Sequence, residues 1–361
     1  MSKIIGSNLI ADKALSYTSR GNKFVYHPEQ ITNFLKKNGN SIISAHVAPT
    51  NACNLKCSYC NQSNRTKGAF LELDTIKDFV NSLKERGLKA VIVTGGGEPT
   101  LYPHFNKLVQ WLDDNNLETA LITNGTNNRC GKETVNTWDI FSWIRISLNF
   151  LDGKIRPLKV PENLSGKVGF SMVYQNQSLE TLKQVADVAE KYDARYVRIL
   201  PDCCTSPEQI VKEREFLKDI IKDLGSDRFF VQDKVPAQAV IPECHQSKLR
   251  PFLLPDGTVA PCDCYMLNRD SNGDFYKTLP SNFNLASVAG KPSSYLEYLD
   301  GKFKPDFNPI VDCNGCGFLE NNQILEDMIR LSKMYPEKSA NELFEILGMS
   351  QQEGVKDINF V

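Results

Sequence analysis

Residues 53–60 read Cys53-Asn54-Leu55-Lys56-Cys57-Ser58-Tyr59-Cys60, which places three cysteines within eight residues. The stretch follows an apolar run at residues 41–49 that is typical of a buried strand. Such spacing lets three thiolates converge on one side of a loop, and thiolates favour zinc, Cu(I) or iron-sulfur clusters. A structural zinc ion requires a fourth ligand nearby. The next cysteine is Cys130 and no histidine lies between Cys60 and His104, so the alternative is a 4Fe-4S cluster with one open iron.

A second motif, Val91-Ile92-Val93-Thr94-Gly95-Gly96-Gly97-Glu98-Pro99, follows the cysteine loop. The CxxxCxxC spacing, the aromatic Tyr59 before the last cysteine and this glycine-rich stretch together resemble the radical S-adenosylmethionine superfamily. The resemblance implies that Cys53, Cys57 and Cys60 hold a 4Fe-4S cluster whose open iron chelates S-adenosylmethionine. In that family, one-electron reduction then releases a 5'-deoxyadenosyl radical, so the cofactor supplies the reactive chemistry and the protein positions it.

The position-by-position resemblance also implies a set of residues that contact S-adenosylmethionine: Tyr59, Gly96, Gly97, Glu98, Asn124, Ser147, Asn149 and Leu200. The glycines and the glutamate should face the methionine end, the serine and asparagines the ribose, and the tyrosine and leucine the adenine. The position of Asn149 departs from the family pattern, in which many relatives carry an acid in a Ser-Leu-Asp-Gly run. Glycines suit such a site because they let a ligand approach the backbone closely.

The composition is that of an ordinary globular chain, with 361 residues and a net charge of -1. This charge creates no general attraction for nucleic acid, so a nucleic-acid partner is disfavoured. The start of the sequence lacks a long apolar segment and no run of about 18 apolar residues occurs, so we expect a cytoplasmic protein without a membrane span. Eleven cysteines in that compartment favour metal ligands or redox groups over disulfides.

Apolar strands alternate with amphipathic helices from Ser41 onward, which predicts an α/β fold with a parallel sheet covered on both faces. The predicted strands are residues 42–47, 90–94, 119–123, 143–149, 168–174 and 196–200. Their number suits a partial (β/α)6 TIM-like barrel, which the family resemblance also implies. In such a barrel functional residues lie on the loops after the strands, where each motif described above falls.

A second cysteine set follows, after roughly residue 225, where the strand-helix alternation stops. Cys244 precedes a hairpin signal with Asp256-Gly257 at its turn, and Cys262 ends that hairpin. Together with Cys313 and Cys316 these cysteines suffice for a complete 4Fe-4S cluster or a tetrahedral zinc, and the spacing alone leaves both open. Cys264 is an alternative to Cys262 as a ligand.

The spacing Cys244-x12-Gly257-x4-Cys262 resembles the first half of the auxiliary-cluster motif in the SPASM and twitch extensions of radical enzymes. A full SPASM motif continues with more cysteines past Cys316, and this chain has none. The resemblance therefore implies a twitch domain whose single auxiliary 4Fe-4S cluster is held by Cys244, Cys262, Cys313 and Cys316. We expect four segments: a helical lead-in at 1–40, the radical SAM partial barrel at 41–225, the twitch domain at 226–320 and C-terminal helices at 321–361.

Asp202, Cys203 and Cys204 follow the strand predicted at 196–200 and should lie near the mouth of the barrel. A thiol there could donate a hydrogen atom to a substrate radical, as in radical epimerases. The simpler alternative is a pair of half-buried thiols that pack as small hydrophobes. Candidate groups for moving a substrate proton are Glu98, Arg145, Arg198 and Asp202.

Three functions remain open from the sequence. The first is oxidation, or cysteine-dependent epimerisation, of a hydroxylated carbon on a sugar-like small substrate; residues 21–28 and 49–53 resemble radical enzymes of carbohydrate modification. The second is a peptide maturase, although the 40-residue lead-in is short for a peptide-recognition module. The third is a zinc-stapled binding protein, which leaves the glycine-rich motif unexplained. Either enzyme would need a reduced electron donor such as flavodoxin or ferredoxin.

Overall fold

The structure is a computed structural model and describes residues 17–361 except 19, 64, 66–67, 128–136, 152, 165, 233–236, 271 and 277–278. Cys130 therefore lies outside the described residues. The strands are β1 Ser44–Val47, β2 Ala90–Val93, β3 Glu118–Thr123, β4 Trp143–Ser147, β5 Phe150–Leu151, β6 Lys154–Ile155, β7 Val168–Val173, β8 Val197–Leu200, β9 Phe229–Val231, β10 Phe252–Leu253 and β11 Val259–Ala260.

The α-helices of the described chain are α1 Pro28–Leu35, α2 Leu73–Lys84, α3 Phe105–Asp114, α4 Thr137–Ile140, α5 Leu179–Lys191, α6 Pro207–Ile220, α7 Tyr295–Leu299, α8 Pro309–Asp312, α9 Leu319–Met334 and α10 Ala340–Ile346. Helices α2, α3 and α5 each carry apolar residues at helical spacing, and those residues are buried against the sheet. None of the described helices is both long enough and apolar enough to cross a bilayer.

A nine-stranded sheet in the order β11-β10-β1-β2-β3-β4-β7-β8-β9 organises the fold. Every pairing from β1 to β9 is parallel, and the only antiparallel pair of this sheet in the described chain is β10 with β11. Strands β1 and β2 are buried at every position, as expected for strands covered on both faces. The predicted α/β fold with a parallel, partial-barrel sheet is confirmed.

The sheet extends further along the chain than the predicted end of the alternation near residue 225. Helix α6 and strand β9 form one more unit, and β9 pairs in parallel with β8. Strand β10 joins the opposite edge beside β1, so part of the second cysteine region belongs to the barrel sheet. Sequence patterns miss these additions because β9 and β10 have only three and two residues.

The two ends of the described chain share a second hydrophobic core. Helices α1, α9 and α10 pack together around Phe24, Ile31, Leu325 and Phe344. Ile43, just before β1, belongs to the same cluster, so this layer reaches the beginning of the sheet. The final helices thus cover the barrel together with the lead-in, rather than standing apart from it.

Candidate cofactor and substrate site

The cysteine loop begins where β1 ends, at the carboxyl edge of the parallel sheet. Cys53, Cys57 and Cys60 are all partly accessible. The amide of Cys60 donates to the Cys57 carbonyl over 3.2 Å, which closes a turn between two of the three thiols. The guanidinium of Arg65 lies 3.8 Å from the Cys60 sulfur, a neighbour that no sequence motif indicated.

The glycine-rich loop after β2 lies directly against the start of the cysteine loop. The amide of Gly97 donates to the Thr50 carbonyl at 3.0 Å, and the amide of Glu98 donates to the Ala52 carbonyl at 2.7 Å. A Cβ on Gly97 would lie 2.0 Å from the Ala52 oxygen. Glycine is therefore required here because the backbones of the two loops are in contact.

Glu98 links the ends of β2 and β3. Its side chain is buried and accepts hydrogen bonds from the hydroxyls of Thr100 (2.7 Å) and Thr123 (2.6 Å) and from the amide of Asn124 (2.7 Å). Burial raises the pKa of Glu98, and these donors oppose that rise. The carboxyl group thus fixes the position of Asn124, while the contact of Glu98 with the methionine end stays a prediction.

Two asparagines predicted to lie near the ribose contact the cysteine loop. Asn124 Nδ2 donates to Asn54 Oδ1 at 2.9 Å. Asn149 Oδ1 accepts from the Tyr59 hydroxyl at 2.8 Å and from Cys57 Sγ at 3.1 Å, and its Nδ2 donates to the Ser147 carbonyl. Burial raises the pKa of Tyr59, so this hydroxyl stays a neutral donor. Leu200 ends β8 opposite Val173; the cofactor contacts of these residues stay predictions.

Asp202, Cys203 and Cys204 lie beside the cysteine loop, in the predicted place after β8. The Cys204 sulfur is 3.8 Å from the Tyr59 carbonyl oxygen. Asp202 accepts a hydrogen bond from the Cys204 amide at 2.8 Å, and the potential ligand atoms of Asp202, Cys203 and Cys204 lie within 4.8 Å of one another. A hydrogen bond from Cys203 lowers the pKa of Cys204. Their chemical role stays a prediction.

Five cysteines line one recess of about 460 Å³ beside the sheet edge: Cys244, Cys262, Cys264, Cys313 and Cys316. A tetrahedral zinc with Zn–S bonds of about 2.3 Å would draw its sulfurs to within about 3.8 Å of each other. Within the described parts of the chain, the only group of three or more potential ligand atoms that lie within 4.8 Å of one another is Asp202, Cys203 and Cys204, named here the Asp202 group. The five cysteines of the recess supply enough thiolates for either a tetrahedral zinc or a 4Fe-4S cube.

A cavity of about 660 Å³ lies inside the barrel. Its walls include side chains from several strands of the parallel sheet: His46, Ile92, Ile122, Trp143, Arg145 and Arg198. Lys23, Arg250, Asp263 and Cys264 also line it, and Cys264 is shared with the five-cysteine recess. Lys23 and Arg250 were missed because they come from segments distant in sequence and belong to no motif.

A partial α/β barrel with a three-cysteine loop after its first strand defines the class of barrel enzymes that can hold an iron-sulfur cluster with an open iron. Residues 47–160 match the family model described as "Radical SAM superfamily", so this stretch of the chain is a radical SAM domain. For a domain of this superfamily the family implies a 4Fe-4S cluster and S-adenosylmethionine as cofactors.

Several relatives share part of this chain. A "Probable GTP 3',8-cyclase" of Methanococcus maripaludis is 32% identical over 90 residues, 24% of this chain and 30% of that protein. An "S-adenosylmethionine-dependent nucleotide dehydratase" of Flammeovirga pacifica is 26% identical over 152 residues, 40% of this chain and 51% of that protein. The chain thus spans about a third to half of these curated relatives.

Among solved structures, Streptococcus suis SuiB bound to precursor peptide SuiA aligns with 98% of this chain and 84% of its own. The TM-score is 0.52 and the sequence identity 16%. At this identity the likeness concerns the fold alone.

Proposed function

We propose that this radical SAM enzyme abstracts a hydrogen atom from a hydroxylated carbon of a small, sugar-like substrate and completes a dehydrogenation or an epimerisation. The observation that supports a small substrate is the cavity of about 660 Å³ inside the barrel. Small-molecule sites are typically concave and carry a few converging polar groups, and His46, Arg145 and Arg198 line this cavity. When bound, the cluster and S-adenosylmethionine supply the 5'-deoxyadenosyl radical that begins the reaction.

The residues of the cysteine loop fit that cofactor pair. Cys53, Cys57 and Cys60 would hold the cluster, and the glycine-rich loop would place its backbone beside S-adenosylmethionine. Tyr59 and Asn149, hydrogen-bonded to each other at the same loop, would fix the side of the cofactor that faces the barrel.

Cys204 and Asp202 supply the residues for epimerisation and for dehydrogenation. In epimerisation, the S–H bond of Cys204 breaks and its hydrogen atom forms the new C–H bond on the substrate radical. The sulfur radical left behind then takes one electron and one proton from the reduced electron donor and solvent, which restores the thiol. In dehydrogenation, Asp202 accepts the hydroxyl proton of the substrate.

The dehydrogenation outcome also uses the second cysteine set. Cys244, Cys262, Cys313 and Cys316 would hold an auxiliary 4Fe-4S cluster, which when bound supplies an electron acceptor. We assign these cysteines to a twitch domain at about residues 226–320, although β9 and β10 of that stretch pair with the barrel sheet. We further infer a cytoplasmic setting with flavodoxin or ferredoxin as electron donor.

A peptide maturase is the second candidate. The likeness of fold to SuiB, a protein solved with a precursor peptide, favours it. In the present chain, however, α1, α9 and α10 pack over the barrel, and the cavity inside is lined by side chains of the strands themselves, which favours the small substrate.

The test is anaerobic incubation of the reconstituted protein with S-adenosylmethionine, reductant and a metabolite extract in deuterated water, followed by mass spectrometry. A product lighter by two hydrogens beside 5'-deoxyadenosine indicates dehydrogenation. A product of unchanged composition with one new deuterium indicates epimerisation, and Cys204→Ala should abolish that label.

A modified peptide as the only product would favour the peptide maturase instead. If the triple variant Cys53→Ala, Cys57→Ala, Cys60→Ala still made 5'-deoxyadenosine, the cluster assignment would be wrong.

A further inference from the structure

Two arginines inside the barrel cavity bind only neutral partners. Arg145 donates to the Tyr196 hydroxyl at 3.2 Å and to the Tyr17 carbonyl at 3.1 Å. Arg198 donates to Ser171 Oγ at 2.9 Å and to Gln232 Oε1 at 2.7 Å. In the described part of the chain, neither guanidinium forms an ion pair with a carboxylate. Both side chains are partly buried, and removing a cation from water without an opposite charge nearby is costly.

The same cavity contains buried donors that no protein acceptor satisfies. Arg250 and Trp143 are 3% and 6% exposed, and both line the cavity. Arg250 Nη1 and Trp143 Nε1 have no hydrogen-bond partner within the described structure. Both groups can only donate, and each buried donor left unsatisfied costs about 1–3 kcal/mol. The missing partner is therefore a group rich in acceptor oxygens.

The carboxylates at the cavity wall are already held by other groups. Asp263 lies 3.2 Å from Arg250 Nη2, and Asp357 lies 3.0 Å from Arg195. Burial, and after it the neighbouring Arg145, lower the pKa of Arg198 to about 9, so both loss of water and a like charge disfavour this cation. A second source of negative charge would relieve this repulsion.

A glycine on β7 makes room for the side chain that orients Arg145. Gly169 on β7 lies opposite Arg145 on β4, and Ser171 lies opposite Arg198 on β8. A Cβ on Gly169 would lie 2.2 Å from the ring of Tyr196, whose hydroxyl accepts from Arg145. The glycine thus makes room for the ring that orients Arg145 inside the barrel.

We propose that this cavity binds the phosphate or carboxylate group of the enzyme's substrate, with Arg145 and Arg198 as the binding residues and Arg250 as a further donor. The inference rests on the proposed function, since the ligand is the small molecule on which the radical acts, and it narrows that substrate to an anionic one. A phosphate and a carboxylate both present acceptor oxygens that suit the forked donors of arginine.

The test is calorimetric titration of the reconstituted protein, without reductant so that no turnover occurs, with glucose 6-phosphate, glucuronate and glucose as probes. We expect at least one anionic probe to bind ten-fold or more tightly than glucose, and the comparison of the two anions separates phosphate from carboxylate. Arg145→Gln and Arg198→Gln should each weaken the preferred anion ten-fold or more. Arg330→Gln, on an exposed ion pair of α9, is the matched control and should change nothing.

Equal binding of glucose and both anions, or unchanged anion binding by both cavity variants, would overturn the proposal. If Arg198→Gln does not fold, Arg198→Lys keeps a cation while losing the forked geometry, and it should still weaken binding. Production of 5'-deoxyadenosine is measured separately. A protein that cleaves S-adenosylmethionine but does not prefer anions contradicts only this inference, whereas one that binds anions without cleaving the cofactor contradicts the proposed radical function.

Discussion

At the scale of single residues, Gly97 couples the glycine-rich loop to the loop of the three cysteines. Because Gly97 has no Cβ, there is room beside it for the carbonyl of Ala52, the residue before Cys53. This carbonyl accepts a hydrogen bond from the Glu98 amide. We expect Gly97→Ala to displace that carbonyl and with it the first thiol of the cluster loop. Both the iron content of the reconstituted protein and the yield of 5'-deoxyadenosine should fall several-fold.

The matched control for that substitution is Gly225→Ala. Gly225 has a φ of 62°, but a Cβ added to it meets nothing within 4 Å. Only backbone strain of about 1–2 kcal/mol should result, with cofactor cleavage unchanged. Gly97→Ala protein with full iron content and full cleavage would show that the contact between the two loops is dispensable.

The buried Lys23 should make the free energy of unfolding depend on pH. Burial, opposed by Asp357 and reinforced by Arg145, Arg195 and Arg250, lowers the pKa of Lys23 from 10.5 to about 7. Between these values the unfolded chain binds more protons at this lysine than the folded chain, so the free energy of unfolding rises with pH. The rise from this group is at most about 1.4 kcal/mol per pH unit.

The measurement is urea unfolding at pH 7 and pH 9 for the wild type and for Lys23→Met, which removes the titrating group. The difference in free energy of unfolding between the two proteins should shift in favour of the wild type as the pH rises. A shift in the opposite direction, or none, would mean that Lys23 is charged in the folded protein throughout this range.

At the scale of elements, the layer built from α1, α9 and α10 should determine the stability of the barrel's outer face. Phe344 on α10 is 2% exposed within this layer, whereas Ile346 on the same helix is 45% exposed. Phe344→Ala should cost about 3–5 kcal/mol in the free energy of unfolding because it leaves a cavity. Ile346→Ala should change the free energy of unfolding by only about 0.5 kcal/mol. Urea unfolding of both variants measures the two values. Equal losses of stability in the two variants would mean that this layer is loosely packed.

The elements also show what the sequence can and cannot predict. The strand Ala90–Val93 is a continuous apolar run that is buried at every position, so the predicted range 90–94 agrees with the structure to within one residue. Strand β9 has three residues and too little pattern to be recognised.

The motifs located the cysteine loop and the glycine-rich loop because those sites are contiguous in sequence. The cationic cavity depends on pairing across the fold, which places Arg250 beside His46, and no local pattern contains that information.

At the scale of the whole molecule, the second cysteine set adjoins the cavity inside the barrel. Cys264 lines both the five-cysteine recess and the cavity inside the barrel, while Cys204 contacts the loop of the first set. Cys264 therefore connects the five-cysteine recess with the cavity, whereas Cys204 lies beside the cysteine loop.

The two sets should be separable by mutation. Cys313→Ala removes one ligand from the recess and Cys57→Ala removes one from the loop after β1, so each variant should hold about four irons instead of the about eight of two 4Fe-4S clusters. Only Cys57→Ala should lose production of 5'-deoxyadenosine, because an open iron is needed only at the first set. Iron analysis and product chromatography of both variants measure this. Comparing Cys262→Ala with Cys264→Ala identifies the fourth ligand of the recess, since the true ligand is the one whose loss lowers the iron content. Full iron in Cys313→Ala would remove the basis for an auxiliary cluster, and with it the dehydrogenation branch.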